Sequence, residues 1–411
     1  MTSARTFLGL DGRVLLLIGL CSLPFFLDCL IPALMGPLAT PIAASLSLAP
    51  PDLGAVFSAN LVGQCLGLST IPLLAGRLGH RRIILWTTLG FGISQGLTMF
   101  VVDRDTLVAS RFITGIFLGG ALPSCVAIVT QGTPPGRRGL ATMLLFTAFG
   151  LGGAVAGLVA SLYLEGGDWR QAFGVTGAAS LIAAVICWRW LREPPQDPAP
   201  ASAGHGGRSR GVGAIVSPPL LGGTLLLWVM FISALTIYYC LSSWLPALLV
   251  DIGRSPKLAA YAISTYTGGG VIAGLLVGPL IDRFGTRPVL GLFFALSAVL
   301  LFAIGRVMEE LPDMSLLALL ATCGFFMLGA YGGLNVLMTE YYPPALRAVG
   351  IGWTKSVSRL GTVLTPVAIG YGLAQGVSSR TMVSLFAVPA CLIVAALLAM
   401  RQGQKHPQRP R

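Results

Sequence analysis

Residues 278–288 read GPLIDRFGTRP, and residues 72–82 read PLLAGRLGHRR. Each stretch joins two long apolar segments, and each carries Arg, Gly and Arg at the same spacing. A second pair of loops also aligns, QGTPPGRRG at 131–139 with EYYPPALRA at 340–348. The two pairs are offset by 206 and 209 residues. Offsets this similar indicate an internal duplication of the chain.

The composition is that of a protein embedded in a membrane. The 411 residues are 55% hydrophobic and 10% charged, with a mean hydropathy of +0.81, whereas soluble domains are about a quarter charged. The formal net charge of +12 does not indicate nucleic acid binding, because the positive residues lie in short loops, as the positive-inside rule describes. The eight cysteines lie in apolar segments, which indicates small buried side chains and not a disulfide framework.

Twelve apolar segments are long enough to span a bilayer, which takes about 20 residues. They are residues 14–42, 53–75, 82–101, 106–130, 139–163, 171–191, 219–248, 258–281, 288–306, 315–340, 348–374 and 381–400. No small-residue cleavage pattern follows the first, so it is interpreted as a retained span and not a signal peptide. With the duplication, this predicts an all-α polytopic membrane protein of 12 transmembrane helices in two pseudo-symmetric six-helix bundles. Such duplicated halves are typical of secondary transporters.

The domain boundaries follow from a Pro-, Gly- and Ala-rich stretch in the middle of the chain. We predict an N-terminal bundle at 1–192, a cytoplasmic linker at 193–217, a C-terminal bundle at 218–400 and a basic cytoplasmic tail at 401–411. Both termini are placed in the cytoplasm, because this leaves most of the 27 Lys and Arg residues on the inner side. The outer side then holds six: Arg104, Arg170, Arg254, Lys257, Arg306 and Arg380.

The loop GPLIDRFGTR resembles the G-x-x-x-D-R-x-G-x-R motif of the major facilitator superfamily. The stretches RFITGIFLGGALPS (111–124), LSSWLPALLVDIG (241–253) and YYPPALRAVGIGWTKSVSRLG (341–361) narrow the resemblance to its aromatic acid/proton symporter family. This implies a bacterial inner-membrane protein that imports benzoate-like acids together with protons. The chain departs from the family pattern at three points: Cys29-Leu30-Ile31 follows Asp28 where relatives have a second acid, Pro72 and Gly76 replace Gly and Asp, and Gln131 replaces Glu.

Away from the ends of the predicted spans, four charged residues lie within them: Asp28, Arg111, Lys355 and Arg359. An ionisable side chain in a span is costly and marks a functional site by default. Asp28 is the only embedded acid, and the three histidines lie in loops or the tail, so we expect Asp28 to couple transport to protons. The alternative is a static ion pair between Asp28 and Arg111.

Lys355 and Arg359 are four residues apart, so they share one face of a helix. They lie about 12 and 18 Å from the inner end of their span, at 1.5 Å per residue. Arg359 is therefore expected to bind the substrate carboxylate with its guanidinium fork. Lys355 either supports it or extends towards the cytoplasm. The second cation favours either a dianion or a stronger hold on a monoanion.

An aromatic acid also needs an apolar slot with a few polar groups. The candidate substrate contacts, besides Arg359, Lys355 and Arg111, are Tyr238, Tyr239, Tyr331, Asn335 and Trp353. The alternative role for each aromatic side chain is packing or membrane-interface anchoring. The glycines of spans four and five are expected to permit close helix packing.

The loop motifs supply candidate gating residues: Asp282, Arg283, Arg287, Arg77, Glu340 and Arg347. We expect charge pairs between helices at the cytoplasmic gate, with Glu340 near Arg347; the alternative is that these are ordinary surface charges.

A proton-antiport exporter is the competing function, although FGLGGAVAGLVAS (149–161) lacks the proline of the exporter motif. A membrane enzyme is disfavoured, because the chain has no HExxH and no nucleotide-binding P-loop. The expected partners are a small organic anion, protons and the lipid bilayer, with no cofactor, no metal and no nucleic acid, in a monomer.

Overall fold

The computed structural model describes residues 11–164, 168–194, 213, 215–218, 220–343 and 346–400. Within these ranges all regular secondary structure is helical, and the helices are joined by turns and short irregular loops. The first half contains α1 (Gly12–Leu46), α2 (Pro50–Thr70), α3 (Ala75–Leu78), α4 (His80–Leu97), α5 (Arg104–Gln131), α6 (Arg138–Ser161) and α7 (Trp169–Trp190). The second half contains α8 (Leu221–Asp251), α9 (Pro256–Phe284), α10 (Thr286–Val307), α11 (Asp313–Tyr341), α12 (Arg347–Ala374), α13 (Ser379–Leu385) and α14 (Ala387–Ala399). Most of the predicted linker and the whole tail (401–411) lie outside the described residues.

These helices form twelve rods that coincide with the predicted spans to within a few residues. Two rods are interrupted where proline removes a backbone donor. Pro72 lies in a 3-10 turn, Ile71–Leu74, between α2 and α3. Pro389 cannot bond to the carbonyl of Leu385, where α13 ends. Eleven of the described rods are long and apolar enough to cross a membrane; α12, which contains Lys355 and Arg359, is not among the eleven.

The duplication inferred from the two loop motifs is visible in the backbone. Gly79 and Gly285 occupy equivalent positions and have nearly the same conformation, φ 84° and ψ 150° against φ 87° and ψ 153°. A side chain is strained there, which explains the glycine in both motifs. Arg81 Nε donates to Leu191 O (2.6 Å) and Arg287 to Met400 O (3.2 Å). Each arginine thus binds the carbonyl at the end of the last helix of its own half.

Two ends of the bundle are distinguished below. The linker end is where α1 begins, α7 ends and α8 begins; the far end is where α1 ends and α2 begins. Both loop motifs lie at the linker end, because the helices alternate in direction along the chain.

The halves pack on each other through glycines in the middle and far parts of the helices. A Cβ atom on Gly36 would overlap Ser242 O, one on Gly157 would overlap Ala260 O, and one on Gly54 would lie 2.8 Å from Pro366 O. Within the first half, Gly115 and Gly119 meet the backbone of α2 in the same way. The expectation that glycines permit close helix packing is confirmed.

Candidate functional site

Polar and aromatic side chains from four helices meet near the middle of the bundle, at the junction of the two halves. We call them the central cluster. Its members are Asp28 and Cys29 on α1, Phe231, Tyr238 and Tyr239 on α8, Tyr331 and Asn335 on α11, and Lys355 and Arg359 on α12.

Arg359 is the hub of the central cluster. One of its guanidinium nitrogens donates to the Tyr239 hydroxyl (3.2 Å), and the guanidinium carbon lies 5.9 Å from the centre of that ring. The Tyr239 ring meets Tyr238 edge to face at 5.0 Å. Among the described residues, no carboxylate forms an ion pair with Arg359. Most of its donors are therefore available to an anion.

Asp28 faces Arg359 from the other half of the molecule. Its side chain is buried, with 8% of the residue exposed, and it interacts electrostatically with Arg359 without forming a direct ion pair. The neighbouring Cys29 thiol lies 3.5 Å from the Tyr238 hydroxyl. Asp28 on α1 and Arg359 on α12 therefore interact across the junction between the two halves.

Lys355 is held by neutral and aromatic groups. Its Nζ donates to Asn335 Oδ1 (2.6 Å) and to the Tyr331 hydroxyl (3.4 Å). It also lies 4.6 Å from the centre of the Phe231 ring and 5.2 Å from that of Tyr331. Cation–π contacts of this kind stabilise a charge without neutralising it. Within the described part of the chain, Lys355 has no carboxylate partner.

Two members of the central cluster were not singled out from the sequence. Phe231 precedes Tyr238 by seven residues, which is two helical turns, so it lies on the same face of α8. Cys29 was interpreted only as a small buried residue, although it follows the one embedded acid. For Phe231, the helical register relative to Tyr238 was an available signal; for Cys29, the available signal was its position next to Asp28.

Trp353 does not join the central cluster. It is 43% exposed and makes no ring contact or side-chain hydrogen bond among the described residues. Two residues along a helix correspond to a rotation of about 200°, so Trp353 and Lys355 lie on different faces of α12.

Arg111 lies apart from the central cluster, inside the first half. It is 1% exposed and donates to Gln95 Oε1 (2.9 Å), Thr98 Oγ1 and Thr114 Oγ1 (3.4 Å). Its guanidinium also stacks 4.9 Å from the centre of the Phe173 ring. The static ion pair between Asp28 and Arg111 considered from the sequence is not formed; neutral groups of α4, of the turn after it and of α5 itself bind the guanidinium instead.

The candidate gating residues do not form a closed gate in this conformation. Asp282, Arg283, Arg77 and Arg347 are exposed at the linker end, and no described ion pair includes any of them. Arg283 stacks on the adjacent Phe284 (5.2 Å), and Arg287 binds within its own half as described above.

The expected pair between Glu340 and Arg347 is also not formed. Glu340 Oε1 instead accepts a hydrogen bond from the Thr286 hydroxyl (2.8 Å) at the start of α10. Thr286 lies in the loop motif of the same half, so this contact joins neighbouring helices of one bundle.

The side-chain contacts between the halves lie in the middle and far parts of the helices. Phe57 meets Trp244 edge to face at 5.3 Å, and the Ser58 hydroxyl donates to Val363 O (2.6 Å). With the glycine contacts, these pairs close the far end, whereas the charged residues at the linker end remain apart. Among the described residues, these contacts between the halves thus lie in the middle and far parts of the bundle, and the charged residues of the loop motifs at the linker end form no ion pair across the junction.

No group of three or more His, Cys, Asp or Glu side chains is arranged to hold a metal ion anywhere in the described ranges.

Comparison with known proteins gives consistent matches over almost the whole chain. The family model of the Major Facilitator Superfamily matches residues 17–264 and 227–411. The 3-(3-hydroxy-phenyl)propionate transporter of Escherichia coli is 32% identical, over 97% of this chain and 96% of its own length. The 4-hydroxybenzoate transporter PcaK of Pseudomonas aeruginosa is 30% identical, over 92% of this chain and 90% of its own.

The fold is similar to that of solved transporters. The crystal structure of a D-xylose-proton symporter superposes with a TM-score of 0.78 at 15% identity, covering 95% of this chain and 97% of that one.

Proposed function

The chain belongs to the Major Facilitator Superfamily, and we propose that it imports an aromatic carboxylate together with protons by alternating access. It is a transporter and not an enzyme. The curated relatives that it matches over nearly their whole length are also transporters. Those relatives are named as transporters of 4-hydroxybenzoate and 3-(3-hydroxy-phenyl)propionate, which supports an aromatic acid as the substrate.

The observation that carries this proposal is the position of Arg359 in the central cluster. A carboxylate that leaves water for a site of lower dielectric loses its hydration, and a placed cation with donors replaces it. The Arg359 fork supplies two parallel donors for that purpose. The Tyr238, Tyr239 and Tyr331 rings offer the apolar contacts that the substrate ring requires.

Proton coupling follows from competition for Arg359. When Asp28 is ionised, it interacts with Arg359 and reduces the attraction of that guanidinium for another anion. When Asp28 is protonated, the charge of Arg359 is left for the substrate carboxylate. A proton on Asp28 and an anion on Arg359 therefore favour each other, which is the thermodynamic requirement for symport.

The transport cycle closes the linker end after substrate has bound. In this step we assign the exposed charges Asp282, Arg283, Arg77, Glu340 and Arg347 to new contacts between helices. We place the linker end and both termini on the cytoplasmic side of a bacterial inner membrane, in keeping with the distribution of Lys and Arg. The described conformation is then the inward-open one, and the protein works as a monomer.

Uptake into proteoliposomes tests the proposal. Labelled 4-hydroxybenzoate should accumulate when the external pH is below the internal pH, and accumulation should stop when a protonophore is added. Asp28→Asn should lose gradient-driven accumulation but retain exchange of preloaded substrate, since exchange moves no net protons. Accumulation by Asp28→Asn at the wild-type rate would show that the coupling group lies elsewhere.

A further inference from the structure

A groove at the linker end lies between α4 and α7, on the outer surface of the first half. Its volume is about 430 Å³. It is lined by Arg81, Arg82, Leu85, Trp86, Leu89, Ala184, Val185 and Trp188. Two cationic side chains thus stand at one end of an otherwise apolar and aromatic groove.

The two tryptophans are exposed, Trp86 by 64% and Trp188 by 64%. The exposed Leu89 and Val185 extend the apolar surface further from the linker end. In a membrane-spanning bundle such a surface faces lipid, and tryptophan is typical of the depth at which head groups meet acyl chains. The groove therefore offers a cationic surface for a head group at the linker end and an apolar surface for an acyl chain further from that end.

The two arginines have different roles. Arg81 is partly buried and donates to Leu191 O (2.6 Å) and Trp188 O (2.7 Å), so it holds the end of α7 in place. Arg82 is exposed and has no hydrogen bond or ion pair within the described residues. The acid at this end of α4, Glu193, accepts from the His80 backbone N–H (2.7 Å) and does not line the groove. The charge of Arg82 is therefore available to an external anion.

The second half of the molecule shows that this groove is not a general feature of the repeat. Arg287 corresponds to Arg81 and makes the same kind of bond to a helix end. At the positions that correspond to Arg82 and Trp86, however, the second half has Pro288 and Leu292. Arg81 thus has a counterpart in the second half, whereas Arg82 and Trp86 have none.

We propose that this groove binds one anionic phospholipid of the leaflet at the linker end. The phosphate would accept hydrogen bonds from Arg82, with Arg81 adding positive charge, and an acyl chain would lie along Trp86, Leu89 and Val185. Arginine suits phosphate because its planar donors match the oxygen geometry, and basic pockets between transmembrane helices at this depth bind anionic head groups.

Native mass spectrometry of the purified full chain, released from micelles that contain phosphatidylglycerol or phosphatidylcholine, tests the proposal. We expect wild type to retain one phosphatidylglycerol in preference to phosphatidylcholine. Arg82→Gln should weaken that retention about fivefold, since an arginine near the membrane surface contributes about that factor. Trp86→Leu should weaken retention of the same lipid, and both variants avoid the structural Arg81.

Two substitutions serve as matched controls. Arg13→Gln removes an exposed arginine at the linker end of α1, and Trp190→Leu removes an exposed tryptophan of α7; neither residue lines the groove. Both should retain lipid as wild type does. Equal retention of the two lipids, an equal loss in Arg13→Gln and Arg82→Gln, or displacement of the lipid by inorganic phosphate would each overturn the proposal.

Discussion

Arg111 is buried and Arg359 is half-buried, and the two arginines differ in what surrounds them. Arg111 donates to Gln95, Thr98 and Thr114 and stacks on Phe173, so its donors are largely used within the first half. Arg359 has one described hydrogen bond, to Tyr239, and faces Asp28 across the junction. A cation with unused donors at a moving junction can bind and release an anion, whereas one enclosed by its own bundle stabilises that bundle.

Replacing Arg359 should weaken substrate binding. Arg359→Ala removes the cation that we propose pairs with the substrate carboxylate, and the loss of one partner of a buried charge pair costs about 3–5 kcal/mol, or more than about a hundredfold in affinity. Arg359→Lys keeps the charge but loses the fork, so an intermediate loss is expected. Isothermal titration of purified protein with 4-hydroxybenzoate measures affinity separately from movement. Arg104→Lys, an exposed change at the far end, is the control. Wild-type affinity in Arg359→Ala would make Arg359 a structural residue.

Lys355 should distinguish substrates that carry a second acidic group. Its Nζ lies among Asn335, Tyr331 and Phe231 with no described carboxylate partner, so a second anionic group of the substrate would supply the missing charge. Lys355→Gln should therefore weaken binding of terephthalate about tenfold or more, as expected for a hydrogen bond to a charged group, and binding of benzoate much less. An equal loss for both acids would show that Lys355 acts on the first carboxylate.

At the scale of the helices, the contact surface between the halves, which we call the seam, depends on glycine residues. Gly157 on α6 faces the Ala260 carbonyl on α9, and Gly36 on α1 faces the Ser242 carbonyl on α8. Close backbone contacts of this kind separate and re-form as rigid surfaces, because few long side chains have to be reordered. We therefore expect the same glycines that pack the helices to permit the far end to open and close during transport.

A larger residue at the seam should block closure of the far end. The Cβ of Gly157→Val would overlap Ala260 O, and overpacking of this kind costs about 1–3 kcal/mol, so uptake should fall by about tenfold. Gly139→Val, on the same helix with open space around it, should transport as wild type does. Size-exclusion chromatography of both variants separates a closure defect from misfolding. Normal uptake by Gly157→Val would show that the seam need not close this tightly.

At the scale of the whole molecule, the contacts between the halves are distributed unequally along the bundle. They run from the Cys29–Tyr238 contact near the middle to the Phe57–Trp244 pair near the far end. The charged loop motifs at the linker end are left exposed. Apolar and backbone contacts therefore join the halves at the far end, whereas the charged residues at the linker end are exposed and form no described ion pair.

Binding of substrate and protons should bring the two halves together at the linker end and separate them at the far end. Spin labels on Leu78 and Phe284, exposed at equivalent linker-end positions, should move closer when 4-hydroxybenzoate is added at acidic pH. Labels on Val102 and Met314, exposed at the far end of the two halves, should move apart. Pulsed electron–electron distance measurements in nanodiscs report both changes, and Asp28→Asn should reduce the pH dependence. Distances that stay constant in both pairs would contradict rocking about the central cluster.

Much of the fold was determined by the sequence alone. Twelve apolar segments of sufficient length, and glycine-containing motifs repeated in two loops, predict two six-helix bundles, because a bilayer admits few other structures for such a chain. The sequence also singled out Asp28, Lys355 and Arg359 as candidate site residues, because a charge within a span is costly and therefore conspicuous.

Only the tertiary structure decided which of these charges act together. A sequence gives the depth of a residue along its helix, but the direction in which it points across the bundle depends on how the helices pack. That packing turned Arg111 towards Gln95 and Thr98 and placed Arg359 opposite Asp28. It also directed Trp353 away from Lys355 and brought Phe231 and Cys29 into the central cluster. Arg82 and Trp86 line a groove only because α4 and α7 lie side by side.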